Sequence, residues 1–171
     1  MEGYIEQVIT QKMTFETQVK RFFLTVLPML AAILLIMSNV PQIYRVFIFL
    51  VVLGLAYLSY RMFMNFYIEW EYTFVSNEVI FSKISNKSKR KDILTCQVKD
   101  TIVLAKSDDK QHLSVIPKDA KKYSFLSNTG AEHYVWCLQG KNGKAICVYF
   151  EPNEKMLESI SVLARGKTFI S

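Results

Sequence analysis

Hydrophobic and polar positions divide the chain into three stretches. From Phe22 to Ser38 the residues read FFLTVLPMLAAILLIMS, and from Val46 to Tyr60 they read VFIFLVVLGLAYLSY, neither run holding a charge. As a helix the first run is roughly 25 Å long, the short end of what crosses a bilayer core. Pro28 lies in its first half and is expected to bend it, which membrane helices tolerate. The second run extends through Met62, Phe63 and Met64 if Arg61 carries its charged head to the interface. Asn39 to Arg45, polar and short, reads as a turn. The pattern predicts a transmembrane α-helical hairpin over residues 22–67. A cleaved signal peptide does not fit the first run, which starts late, lacks a small-x-small site and is followed at once by a second span.

After Tyr67 the period changes from helical to two. Ile68, Trp70, Tyr72 and Phe74 alternate with Glu69, Glu71, Thr73 and Val75, the signature of a half-buried strand. Ser76-Asn77-Glu78 reads as a turn and Val79 to Ser85 as the returning strand. Further strands are predicted at Ile93–Val98, Thr101–Ala105, His112–Ile116, Tyr123–Leu126, His133–Gln139 and Ala145–Phe150. The last two form a hairpin around Lys141-Asn142-Gly143. Its apolar faces align only across an odd loop, such as three residues with Gly143 left-handed, and that register sets Cys137 opposite Cys147. Pro152 and Glu154 open a helix whose buried stripe is Met156, Leu157, Ile160, Leu163 and Ala164, with Arg165-Gly166 as its stop.

Residues 1–21 form an N-terminal segment in which Tyr4, Ile5, Val8, Ile9, Met13 and Phe15 recur at near-helical spacing. The pattern leaves open an amphipathic helix on the cytoplasmic leaflet, packing on the β domain, or packing on a partner. Lys12, Lys20, Arg21 and Arg61 flank the outer ends of the two spans, whereas the connecting turn offers only Arg45. That asymmetry predicts both termini in the cytoplasm of a multi-pass inner-membrane protein.

Strand, turn, strand and basic stretch after a two-helix hairpin carry a resemblance. Glu71-Tyr72-Thr73-Phe74-Val75-Ser76-Asn77-Glu78-Val79-Ile80, leading into Lys89-Arg90-Lys91-Asp92-Ile93, resembles the opening of bacterial two-span membrane proteins with a cytoplasmic pleckstrin-homology-like domain. The likeness covers about residues 22–165 in architecture and the first forty residues of the domain in motif. Ser76 stands where that family usually has Thr, and Glu78 where a basic residue is common. The resemblance implies that residues 68–171 are an α+β domain, a small antiparallel barrel of about seven strands capped by a C-terminal helix. Most of that family has no assigned activity.

Charge then narrows the partner. The chain carries a net charge of +6, and residues 68–171 hold sixteen basic against twelve acidic residues. With two spans attached, an anionic lipid surface fits this surplus better than nucleic acid, for which no helix-turn-helix or zinc-finger pattern is present. Lys83, Lys87, Lys89, Arg90 and Lys91 place five cations in nine residues without an acid. Because the first strand leaves the second span and its partner returns, these five are the candidate headgroup contacts. Arg61, Tyr67 and Trp70 are the candidate interface residues.

No catalytic or metal-binding arrangement emerges. His112 and His133 are isolated, Asp108-Asp109 lacks the further ligands calcium requires, and Gly140 and Gly143 are turn residues rather than a phosphate loop. Glu69 and Glu71 share a strand face, more often a solvated face than an acid–base pair. Three cysteines argue against a disulfide framework, and Cys137 and Cys147 read first as small apolar strand residues. Gly54 and Ala56 with Ala31 and Ala32 allow close helix packing, within the hairpin or between copies. The expectation is a non-catalytic binding or assembly module without cofactor, with anionic lipid and a protein partner or second copy as its contacts. An accessory subunit of a transporter or channel, or less readily a lipid-modifying enzyme, are the alternatives.

Overall fold

The computed structural model describes residues 3–37, 41–64, 66–140 and 143–170. These form two compact units, a helical one of Met13–Ile68 with Ser85–Lys87, and a β-rich one made of the rest.

In the helical unit, α1 (Phe15–Met37) and α2 (Gln42–Met64) pack against each other as an antiparallel pair. Each has 23 residues, about 34 Å of helix. Both are long and apolar enough to cross a membrane, and their apolar side chains face outward: Leu34 is 68% exposed, Ile36 80% and Ile43 78%. Pro28 lies within α1 without ending it. An added Cβ at Gly54 would meet nothing within 4 Å, so Gly54 is not where α2 approaches α1. Ser38, Asn39 and Val40 of the expected turn lie outside the described residues.

The β unit contains nine strands among the described residues: β1 (Tyr4–Thr10), β2 (Ile68–Val75), β3 (Glu78–Ser85), β4 (Lys89–Gln97), β5 (Thr101–Lys106), β6 (Lys121–Ser124), β7 (Tyr134–Gln139), β8 (Ala145–Phe150) and β9 (Thr168–Phe169). They lie in two sheets, ordered β1-β2-β3-β4 and β6-β8-β7-β5-β9. This corrects the expected single antiparallel barrel of about seven strands. The sheets do not close on each other, and β5–β9 and β6–β8 are parallel. Residues 4–10 are likewise a strand rather than a helix, paired antiparallel with β2 from Tyr4↔Val75 to Thr10↔Glu69. The hairpin helices are therefore an insertion between two paired strands of one sheet.

Alternation explains the core. Tyr72 and Phe74 of β2 and Val79 and Phe81 of β3 meet Trp136, Leu138, Val148 and Phe150 of the second sheet. The helix α4 (Glu154–Leu163) lays Met156, Leu157 and Ile160 on the same core. Phe81 is its hub, stacked on Phe125 at 4.7 Å between ring centroids and edge-on to Tyr72 and Phe150 at 5.3 and 5.5 Å. Polar tips find partners: the Trp136 indole donates to Thr101 Oγ1 at 2.9 Å, and the Tyr72 hydroxyl donates to the Phe125 carbonyl. Asn153 caps α4, its side chain accepting from the Met156 N–H, and Gly166 takes the left-handed turn that follows the helix.

A second apolar cluster covers the outer face of the five-stranded sheet. There Val103, Ala105, Val135, Cys137 and Cys147 are sealed by Leu113 and Ile116 of the 107–120 connection. Residues 112–116, expected as a strand, instead belong to a short helix, α3 (Lys110–Leu113), and the turn after it. Asp109 is the cause: it caps α3 through the His112 N–H, and its other oxygen lies 2.6 Å from His112 Nδ1. That ring stacks on Phe169 of β9 at 3.6 Å, so His112 serves packing.

Candidate functional site

The β3–β4 turn shows how the cationic run is arranged. Asn86 and Lys87 both have φ near +54°, the two left-handed positions of a tight hairpin turn. For lysine that conformation costs roughly 1–2 kcal/mol, which glycine would avoid. The Asn86 N–H donates to the Tyr67 carbonyl at 3.0 Å, so the turn lies beside the chain just after α2 ends. Lys87 is thereby held, exposed, next to that exit.

The five cations differ in their surroundings. Lys87, Lys89 and Lys91 are exposed and make no ion pair among the described residues. Arg90 is committed: its guanidinium lies 2.8 Å from Glu71, whose side chain is 3% exposed, and 3.6 Å from Asp92. Thr73 donates to the same Glu71 carboxylate and Ser82 to Asp92, so Arg90 closes a polar network on the four-stranded sheet. Glu71, expected as half of a solvated face, is enclosed by this network. Lys83 is half-buried, with its ammonium 6.0 Å from the Trp70 ring centroid.

The aromatic candidates divide similarly. Trp70 packs on the core, edge-on to Phe125 at 5.1 Å. Tyr67 is 38% exposed, with the Arg21 guanidinium 5.5 Å from its ring centroid. That guanidinium sits 3.9 Å from the ring centroid of Phe63, joining the beginning of α1 to the end of α2. Arg61 occupies the last turn of α2, exposed.

Cys137 and Cys147 are paired across β7 and β8 as a disulfide, both buried. The hairpin register derived from Gly143 is the observed one, with Gln139↔Ala145 as its last pair and Gly143 at φ +72°. Lys141 and Asn142 of that loop lie outside the described residues. Cys96 is the remaining thiol, buried, with a pKa pushed up to about 12 by that burial.

The two sheets leave a groove of about 620 Å³ between them. Among the described residues, β4 on one side is paired only with β3, and β6 on the other only with β8. Ile93, Leu94, Tyr123, Leu138 and Ile146 supply apolar walls, and among the described residues Lys121, Lys144 and Asp100 are the charged ones on it. Nothing in the sequence pattern announces this groove, because it arises from strands far apart in the chain failing to pair.

Two sheets, a terminal helix over their common core and a two-helix insertion define a pleckstrin-homology-like α+β module. The chain belongs to the family described as Bacterial PH-like domain (DUF6106), which it matches over residues 1–170. PH-like domains generally act as binding modules and are generally non-catalytic. No curated protein matches the chain.

Proposed function

We propose that this protein is a bilayer-anchored binding module of the bacterial inner membrane, with both termini in the cytoplasm. The helical pair spans the membrane, and the β3–β4 turn rests against anionic headgroups through Lys87, Lys89 and Lys91. Docked in this way, the PH-like unit is presented to a protein partner or a second copy. The observation that carries the reading is the conjunction of two outward-apolar helices with a cationic turn hydrogen-bonded to Tyr67, three residues beyond α2. Arg90 contributes little to docking because Glu71 already neutralises it.

Each cation near an anionic leaflet is worth about 1 kcal/mol, so three together favour docking by about 3 kcal/mol, roughly 150-fold. The test uses the full chain in nanodiscs, labelled at Ser85→Cys, with a lipid-borne quencher reporting proximity. Quenching is expected to be stronger in anionic than in zwitterionic discs and to vanish in 1 M salt, where the Debye length falls to about 3 Å. A Lys87→Ala, Lys89→Ala, Lys91→Ala variant is expected to lose it. Quenching independent of lipid charge would exclude the turn as the contact. Stoichiometric co-purification of a transporter or channel from native membrane would assign the module to that complex.

A further inference from the structure

From the groove between β4 and β6 we infer that the PH-like unit takes up an extended peptide segment with alternating apolar and acidic side chains, added as a strand to the free edge of β4. Three independent features converge on that occupant. The first is backbone chemistry: among the described residues β4 is hydrogen-bonded only to β3, so from Ile93 to Gln97 every second residue turns its amide and carbonyl toward the groove. An unpaired edge is a template for strand addition. The five residues Ile93–Gln97 span about 16 Å, enough to pair with a peptide of about five residues.

The second is the wall. Ile93, Leu94, Tyr123 and Ile146 lie on the groove, and Ile93 is 37% exposed although it belongs to a strand of the domain. A strand entering the groove would set alternate side chains against these residues, and the period-two pattern of the ligand follows from that geometry. The third is charge. Among the described lining residues Lys121 and Lys144 outweigh the acid Asp100, and Lys91 stands exposed near the start of the same edge. The other alternate side chains of the ligand are therefore acidic.

The test uses the full chain, isotopically labelled and held in nanodiscs, with an acetylated and amidated (Glu-Val)₄ peptide as the probe. Saturable binding is expected, with slowed amide exchange at alternate residues within Ile93–Gln97. Lys121→Glu with Lys144→Glu, both exposed positions, is expected to weaken it roughly tenfold. A (Lys-Val)₄ peptide and a peptide with proline at every second position are expected not to bind. No saturable binding at millimolar peptide overturns the inference. So does equal affinity for the proline-interrupted peptide, or binding that leaves the β4 amides unchanged. Dodecanoate competing for the site while the peptide leaves β4 unprotected would make the groove a small-amphiphile pocket and refute strand addition. None of these outcomes depends on the lipid charge of the disc, so they stand apart from the docking test of the basic turn.

Discussion

Gln7 joins the first strand to the last helix, and its substitution tests the fold at a point where the chain closes on itself. Its Nε2 donates to the Glu151 carbonyl at 2.8 Å, and its Oε1 accepts the Asn153 N–H at 2.7 Å. Both partners are backbone groups in the segment leading into α4, so one side-chain amide ties β1 to the helix cap. A net contribution of about 1 kcal/mol per hydrogen bond makes Gln7→Ala a loss of about 2 kcal/mol. In a unit of this size that is a fall of about 8 °C in melting temperature. Gln7→Glu is the sharper variant, since a carboxylate keeps the shape but cannot donate to the Glu151 carbonyl. It is expected to lose as much as alanine at pH 7. The assay is thermal unfolding of the full chain in detergent by tryptophan fluorescence, because Trp70 and Trp136 both belong to the β unit. Glu6→Gln, on the exposed face of the same strand, is expected to change stability by less than about 0.5 kcal/mol. A Gln7→Glu protein melting with the wild type would refute the clamp.

Arg90→Ala is expected to cost about 1–3 kcal/mol by leaving the enclosed Glu71 carboxylate without its partner, and Glu71→Gln to restore most of that loss in a double-mutant cycle. Cys96 is expected to resist thiol reagents at pH 8 in the native state and to react on unfolding. Its folded pKa is raised from 9.0 to about 12, so the unfolded thiol ionises first. The contribution of Cys96 is therefore full below pH 9 and is lost by about 1.4 kcal/mol per pH unit between there and 12; Cys96→Ala removes that part of the alkaline slope, while the part from the Tyr72 hydroxyl, also raised by burial, remains. Reducing the Cys137–Cys147 disulfide opens an eleven-residue loop and is expected to lower stability by about 3 kcal/mol. A Cys137→Ala, Cys147→Ala protein would melt at one temperature with or without reductant.

What was legible in the sequence is what neighbours in the chain decide. The β2–β3 and β7–β8 hairpins, the Gly143 register and the start of α4 all follow from alternation and turn residues within about fifteen positions. β1 was hidden because its inward set, Ile5, Gln7 and Ile9, includes a glutamine, while Tyr4 and Val8 lie exposed on the other face. Apolar residues on both faces imitate a helical period, and the partner that decides the matter is some sixty residues away. Lys89–Asp92 read as loop because an edge strand needs no apolar alternation. The same stretch looked like five equivalent cations, since the acid that neutralises Arg90 lies nineteen positions earlier, on β2, with β3 between the two strands. The disulfide follows from a register that was legible, but cysteine count alone argued against it.

Placing β1 before the helices changes which piece of this chain can fold. A chain beginning at Ile68 looks like a complete domain, yet it lacks Ile5, which is 9% exposed in the core, and the Gln7 clamp. It also leaves the edge of β2 unpaired over the seven residues from Glu69 to Val75 that β1 covers. Such a fragment is expected to be aggregation-prone, as open edges are. Thr10 and Glu69 are paired neighbours, so their Cα atoms lie about 5 Å apart, a gap a tight turn bridges. Replacing residues 11–68 by Asn-Gly is therefore expected to convert the insertion point into an ordinary β-hairpin and to yield a soluble, cooperatively folding PH-like unit. Among the described residues, two backbone hydrogen bonds to the retained part are lost with them, from the Lys12 N–H to the Ser127 carbonyl and from the Asn86 N–H to the Tyr67 carbonyl. A sharp melt and dispersed amide spectrum for the Asn-Gly protein, beside precipitation of the chain starting at Ile68, would establish that β1 belongs to the domain. If the fragment from Ile68 folded equally well, β1 would be a dispensable edge and the insertion reading would fall.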